Sequence, residues 1–244
     1  MILECDLSQI EWRAAAFLSQ DPIMLEEIRS GIDQHAATCV DLMELPLTKE
    51  NRQDAKIFNF RAIYCNPKSG AYAYYMDARM PSFPQSKWDD IVEGFFLKYK
   101  GLHAWHEQIV KEVRKTGQLI GPTGQRWVFQ KELKKQGYWD YSVEKIRNYP
   151  VQGLSGALIK LAIIIIRKRS EHLKNKKFIM TVHDSLIWDV ADQEVEELAK
   201  INLEVFQELP DLCKRYFNFY INIPIKGEAT YGPTWGEQTK ELKL

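Results

Sequence analysis

The stretch "KFIMTVHDSLIWDV" (177–190) is apolar on both sides of a polar centre. β-Branched and aromatic residues flank His183-Asp184, so the segment reads as strand, tight turn, strand, with the hairpin spanning 178–190. A hairpin of this kind holds Asp184 rigidly at its apex and leaves it exposed. A second acid is presented in a similar way. The opening "MILECD" (1–6) is a short apolar run that ends on Asp6, and it reads as a strand. Two aspartates at a strand end and a hairpin tip offer oxygen ligands suited to two Mg²⁺ ions. Such a metal pair, about 3.5–4 Å apart, clamps the attacking and leaving oxygens of an in-line phosphoryl displacement. Either aspartate alone is an ordinary turn residue, so the pair draws its weight from the sequence around each member.

Between these acids the pattern is mostly helical. "LSQIEWRAAAFLSQ" (7–20) places Ile10, Ala14 and Phe17 on one face. Asp21-Pro22 starts a short helix to about Gly31, and Asp33 caps another through Asp41. Pro46 precedes a helix from Lys49 to Tyr64 or Cys65. "GAYAYYMDARM" (70–80) reads as a weak helix. Ser86 with Asp89 forms a capping box, and apolar residues from Trp88 to Val113 predict one long helix ending near Gly117. "GQLIGPTGQRWVF" (117–129) reads as a hairpin and 131–141 as a polar loop. A helix over 142–149 meets Pro150, and another runs from Val151 to Leu173. A last helix is expected over 193–208, followed by an extended tail.

The chain of 244 residues is 45% hydrophobic and formally neutral, which argues against a simple polyanion binder. The charge is unevenly spread. Residues 1–51 hold three Lys/Arg and ten Asp/Glu, 111–177 hold sixteen and five, and 178–244 hold six and twelve. A basic middle between acidic ends suggests a nucleic-acid partner. Cys5, Cys39, Cys65 and Cys213 form no CxxC pair and no zinc spacing, as expected of a reduced cytoplasmic setting. No membrane partner is expected. The longest apolar run, Leu161–Ile166, is too short to span a bilayer.

The helix "RQDAKIFNFRAIYC" (52–65) carries an unusual stripe: Arg52, Lys56, Phe60 and Tyr64 recur at steps of four. At roughly 100° per residue these positions drift across about 120° of one face. Ala55, Phe58 and Ala62 lie opposite and can pack inward. Two cations suit a triphosphate and two rings suit a base and sugar, so one helix face has the chemistry to hold a nucleotide.

Three segments stand in an order that resembles motifs A, B and C of the family A DNA polymerases, the bacterial DNA polymerase I group. They are "DLSQIEWR" (6–13), "RQDAKIFNFRAIYC" (52–65) and "TVHDSLIWDV" (181–190). "NYPVQG" (148–153) and "GEATYGPTW" (227–235) are similar to further segments of that family. The resemblance implies an α+β fold, a polymerase palm with an antiparallel sheet plus helical fingers, the thumb and exonuclease domains being absent. Residues 1–20 and 119–244 would be palm and 21–118 mainly fingers, with the motif B helix at 49–65. It implies template-directed DNA synthesis from dNTPs on primer–template DNA, with two Mg²⁺ ions and Mn²⁺ as a stand-in. Asp6, Asp184 and the backbone carbonyl of Leu7 match metal ligands. Asp6, Asp184 and Lys56 are the catalytic candidates. Arg52 and Lys56 match the triphosphate pair, Phe60 the ring on the sugar, and Tyr64 the ring beside the template base. Glu11 matches the residue closing the sugar's 2′ side. Gln9 is a weaker nucleotide-site match. Asn148 and Gln152 match minor-groove residues, His183 one near the primer end, and Arg126 is a weaker DNA match.

The sequence departs from the family in several places. Arg61 and Cys65 replace two motif B glycines, Ser185 replaces the glutamate of motif C, and Glu144 stands where an arginine is usual. The chain starts one strand before Asp6. The expectation is therefore the C-terminal subunit of a split polymerase. A second polypeptide would carry the thumb, the N-terminal palm and, optionally, an exonuclease domain, and a phage protein would work in the host cytoplasm. Two competing readings stand beside it: a single-subunit-type RNA polymerase fragment, suggested by His183-Asp184-Ser185, and a non-catalytic DNA- or nucleotide-binding subunit.

Overall fold

A computed structural model of the chain describes residues 1–64, 67–134 and 136–242. It is an α+β fold that divides into two contact units. One comprises Met1–Arg13 and Gly153–Leu244, the other Ala14–Gln152.

The first unit is built on a five-stranded antiparallel sheet. Its strands are β1 (Ile2–Leu7), β6 (Lys176–Val182), β7 (Ser185–Val190), β8 (Gly227–Gly232) and β9 (Lys240–Leu242), in the order β6-β7-β1-β8-β9. The period-two alternation of β1 assigns its faces. Leu3, Cys5 and Leu7 are fully buried, whereas Ile2, Glu4 and Asp6 are half-buried. The buried face packs against α9 (Val195–Phe217). There Trp188 Nε1 donates to Asn202 Oδ1 at 3.2 Å, and Tyr231 Oη donates to Glu196 Oε1 at 2.7 Å. Gly227 is required at this seam, because a Cβ would lie 2.4 Å from the Phe206 ring and 2.7 Å from the Asp6 carbonyl. α9 extends to Phe217 and carries Pro210 inside it, beyond the expected end near 208. Its apolar stripe, Leu203 to Cys213, continues through the proline, and burial of that face outweighs the lost hydrogen bond.

The second unit is mostly helical. Its helices are α2 (Pro22–Arg29), α3 (Gln34–Ala37) with a π-helical turn at Thr38–Leu42, α4 (Lys49–Ala62), α5 (Pro67–Tyr75), α6 (Gln85–Lys98) and α7 (Lys100–Thr116). Phe58 of α4 is its aromatic hub, with Tyr74, Trp88 and Phe95 rings at 4.9, 6.2 and 5.5 Å. A second apolar cluster joins Ile109, Val113, Leu119, Phe129 and Ile146. It supports the expected hairpin, β2 (Gln118–Ile120) with β3 (Arg126–Val128). Two helices carry residues of both units: α1 (Ile10–Ser19) and α8 (Val143–Arg169).

Several expectations are corrected. The long helix over 85–117 is two helices, broken at Tyr99. Asp21 causes the break from a distance. Its Oδ1 caps α2 through Ile23 and Met24, and its Oδ2 accepts from Gly101 N and Leu102 N, capping α7. A Cβ at Gly101 would lie 2.7 Å from the Asp21 backbone, so only glycine permits this approach. Ser86 is not a cap: α6 starts after Pro84 with no side-chain cap. Residues 131–141 contain a short hairpin, β4 (Glu132–Leu133) with β5 (Trp139–Asp140), tied by an Arg114–Asp140 ion pair. Pro150 does not split α8, whose buried face runs from Ile146 through Ile166 on either side of it. α8 has the length and hydropathy of a membrane span, but 56% of that window is buried inside the fold. Cys5, Cys39 and Cys213 are free and buried, while Cys65 lies outside the described residues.

Asp21→Ala should destabilise the second unit by about 2–3 kcal/mol, because one carboxylate caps two helices at roughly 1 kcal/mol or more each. Chemical denaturation monitored by circular dichroism checks this. A loss no greater than an ordinary surface substitution would contradict the double cap.

Candidate active site

β1 pairs with β7 so that Asp6 lies opposite Ser185, and Asp184 is the residue just before it at the hairpin apex. The two strands continue into the turn, where Leu7 N donates to the Asp184 carbonyl at 3.2 Å. Ser185 Oγ, almost fully buried, donates to Asp6 Oδ1 at 2.9 Å. Asp6 and Asp184 are thus brought together on the sheet face away from α9. Glu228 is paired across from Asp6 on the other side.

The electrostatics follow from this packing. Burial and the neighbouring Asp184 carboxylate push the Asp6 carboxyl up from 3.8 to about 6, against the Ser185 hydrogen bond, which lowers it. Burial also raises Asp184, as does the carboxylate of Glu11 in the first turn of α1. The turn itself is strained. His183 has φ +53° and Gln9, at the exit of β1, has φ +56°, values that L-residues rarely adopt. Two non-glycine residues in such conformations therefore flank the acid pair, a placement typical of functional sites.

A folded carboxyl with a raised pKa contributes stability in full below its unfolded value. That contribution is lost as pH rises through the folded value. In EDTA, therefore, thermal stability should fall between about pH 5 and about pH 7 by on the order of 1–2 kcal/mol, allowing for solvent screening. Mg²⁺ should restore it. Thermal scans across this range, with Asp184→Asn as control, check the expectation; an identical slope in the control would contradict it.

The donor set brought together here is two carboxylates, which suits a hard cation. Among the described residues no group of three or more His, Cys, Asp or Glu side chains converges on one point. The oxygens fit a Mg²⁺ ion that takes its remaining ligands from water and substrate phosphate, the usual arrangement for this ion.

In the second unit, α4 begins at a Thr48 cap and buries Ala55, Phe58 and Ala62 as its periodicity requires. Arg52, Lys56 and Phe60 are half-buried on its other side. α4 ends at Ala62, so Tyr64 sits in the turn after it rather than on the helix. Arg52 Nε donates to Asp33 Oδ2 at 2.7 Å, and Asp33 also caps α3. The Lys56 ammonium lies 5.9 Å from the Phe60 ring centre.

Sequence reasoning missed His35 on α3. Its ring lies 5.8 Å from that of Phe60. Burial and the charges of Arg52 and Lys56, outweighing Asp33, depress its pKa from 6.5 to about 4, so it is neutral at pH 7. Asn59 fixes the tautomer. Thr38 Oγ1 donates to Asn59 Oδ1, so Asn59 Nδ2 is the donor toward Gln34 O and His35 Nδ1. The His35 proton is therefore on Nε2, which is buried and has no hydrogen-bond acceptor among the described residues. A histidine between capped Asp33 and α4 carries no sequence periodicity that separates it from a core residue.

Arg61, in place of a glycine, is explained by its partners. It donates to Asp77 Oδ2 at 2.6 Å and lies over the Tyr74 ring. Arg13 donates to Ser8 O and Pro224 O, a structural role that ties α1 to the loop before β8. Arg147 is buried and paired with Glu107, and Lys145 pairs with Glu132. Glu144 accepts from Ser142 Oγ. Asn148 and Gln152 lie on α8, and Arg126 is exposed on β3; all three belong to the second unit, and His183 to the first.

The model of DNA polymerase family A matches residues 1–237, and the chain belongs to this family. It is 26% identical over 242 residues to DNA polymerase I of Geobacillus stearothermophilus, covering 96% of this chain and 26% of that protein. It is 30% identical over 203 residues to DNA polymerase I of Aquifex aeolicus, covering 80% and 33%. The chain thus spans about a quarter to a third of the length of these relatives. A solved structure, the POL domain of Pol1 from M. smegmatis in complex with DNA primer-template and dNTP, superposes with a TM-score of 0.77 at 22% identity. It covers 96% of this chain and 40% of that one, a likeness of fold.

Proposed function

We propose that this chain carries the nucleotidyl-transfer site of a DNA polymerase, joining dNTPs to a primer 3′-hydroxyl. The observation that carries the reading is the pairing of Asp6 with Asp184, two carboxylates held together at an energetic cost that bound cations would offset. Asp6, Asp184 and the Leu7 carbonyl would hold Mg²⁺, which lowers the pKa of the attacking hydroxyl and offsets charge on the leaving pyrophosphate. Ser185 keeps the Asp6 carboxylate in one orientation. Arg52 and Lys56 bind the triphosphate, and Arg52 exchanges Asp33 for phosphate oxygens. Phe60 packs on the sugar, Tyr64 stands beside the template base, and Gln9 shapes the turn that presents Asp6. Glu11 fills the space a 2′-hydroxyl would need, which selects dNTPs. Asn148, Gln152, Arg126 and His183 contact primer–template DNA. The domain roles follow: palm for the sheet unit and fingers for the α4 region.

Primer extension on a primed template, with dNTPs and then rNTPs, tests the function. Incorporation of dNTPs is expected. A preference for rNTPs would favour the RNA polymerase reading suggested by Ser185.

A further inference from the structure

The first unit has a second feature, at the sheet edge on the other side of β7 from Asp6. β6 is an edge strand: among the described residues it pairs with β7 alone. Its seven residues span about 23 Å at roughly 3.3 Å each. Every one of them is exposed or half-exposed, including Phe178, Ile179 and Met180. A bulge between Phe178 and Met180 and the two lysines at its start, Lys176 and Lys177, are the features that oppose indiscriminate pairing among the described residues. Beside it lies an open groove of about 950 Å³, floored by Phe178 and Trp188 and walled by α8 through Ile164, which is 63% exposed. The rim carries Arg167, Lys168 and Lys177, all exposed, with no acidic partner among the described residues; Glu171 is the single acid.

We infer that this edge and groove dock an extended, acidic segment of a separate polypeptide, which adds a strand to β6. Two features favour polypeptide over nucleic acid. A strand edge presents carbonyls as well as N–H groups, and phosphate satisfies only the N–H donors. The exposed Ile164, Ile179 and Met180 reward apolar side chains. An added strand would seat alternate apolar residues in the groove and bring acids to the three cations. The inference goes beyond the proposed function and does not depend on which residues carry out nucleotidyl transfer.

The test uses a fluorescent synthetic peptide of alternating valine and glutamate, with a valine–lysine peptide and primed duplex DNA as comparisons. Anisotropy should show binding of the acidic peptide alone, with slowed hydrogen exchange at β6 amides. Charge reversal of Arg167, Lys168 and Lys177 together should weaken it about tenfold or more, as the loss of several rim ion pairs would. Ile164→Ser should weaken it several-fold. Asp184→Asn should bind the peptide normally, so failure of the polymerase reading and failure of this inference are told apart. No binding, equal binding of the basic peptide, unchanged β6 exchange, or displacement of the peptide by DNA would each overturn the inference.

Discussion

Asp184→Asn should lower nucleotide incorporation by at least about a thousandfold, the order expected when a preorganised charge at the reacting centre is lost. The substitution keeps the size of the side chain and removes one of two carboxylates that repel each other. Burial raises both carboxyls, and the Asp184 charge raises Asp6 further. Stability at neutral pH without metal should therefore hold or rise, while activity collapses. That opposition separates a catalytic role from a structural one, since a structural residue would lose both together. Asp6→Asn should behave alike, and the double variant should be little worse than either single one, because the pair acts as a unit. Single-turnover incorporation on a primed template, alongside thermal scans, measures both. Independent multiplicative losses would mean the two acids serve separate tasks.

Lys56→Ala should cost roughly 10- to 100-fold in kcat/KM for dNTP, the worth of one charge-assisted contact to phosphate at about 1.5–3 kcal/mol. Lys56 has no acidic partner among the described residues and rests beside the Phe60 ring, so its removal breaks no ion pair. The loss therefore reports substrate contacts rather than unfolding. Arg52→Ala should cost a similar amount. Arg52→Lys should recover little of it, because an ammonium lacks the planar fork that meets two oxygens. Incorporation rates against dNTP concentration give the answer. Wild-type kinetics in both alanine variants would remove the triphosphate from this helix.

The parts of this fold that could be read from the sequence are those whose signals are local. Short apolar runs marked β1 and the β6–β7 hairpin around its polar centre, and the i, i+4 stripe marked α4 with its inward Ala55, Phe58 and Ala62. Asp21 and Asp33 stand as caps where expected. The break at Tyr99 was not legible, because its cause is an aspartate 80 positions away. Pro150 and Pro210 mislead for the same reason: burial of a long apolar face keeps each helix continuous through its proline. In the site, the acids and cations announce themselves through spacing and turn chemistry. His35 does not, since its orphan Nε2–H arises from a tautomer set by Asn59 across 24 positions. Arg61 reads as a disruptive replacement of glycine until Asp77, on another element, explains it.

Direct titration with Mn²⁺ in the presence of a non-hydrolysable dNTP, following the free-ion signal by electron paramagnetic resonance, tests whether Asp6 and Asp184 form one cation site. Wild-type protein should remove Mn²⁺ from solution at neutral pH, less so below about pH 6 as Asp6 takes up its proton. Asp6→Asn and Asp184→Asn should each bind Mn²⁺ poorly. Undiminished uptake by both variants would contradict the shared site and, with it, the assignment of nucleotidyl transfer to these two residues.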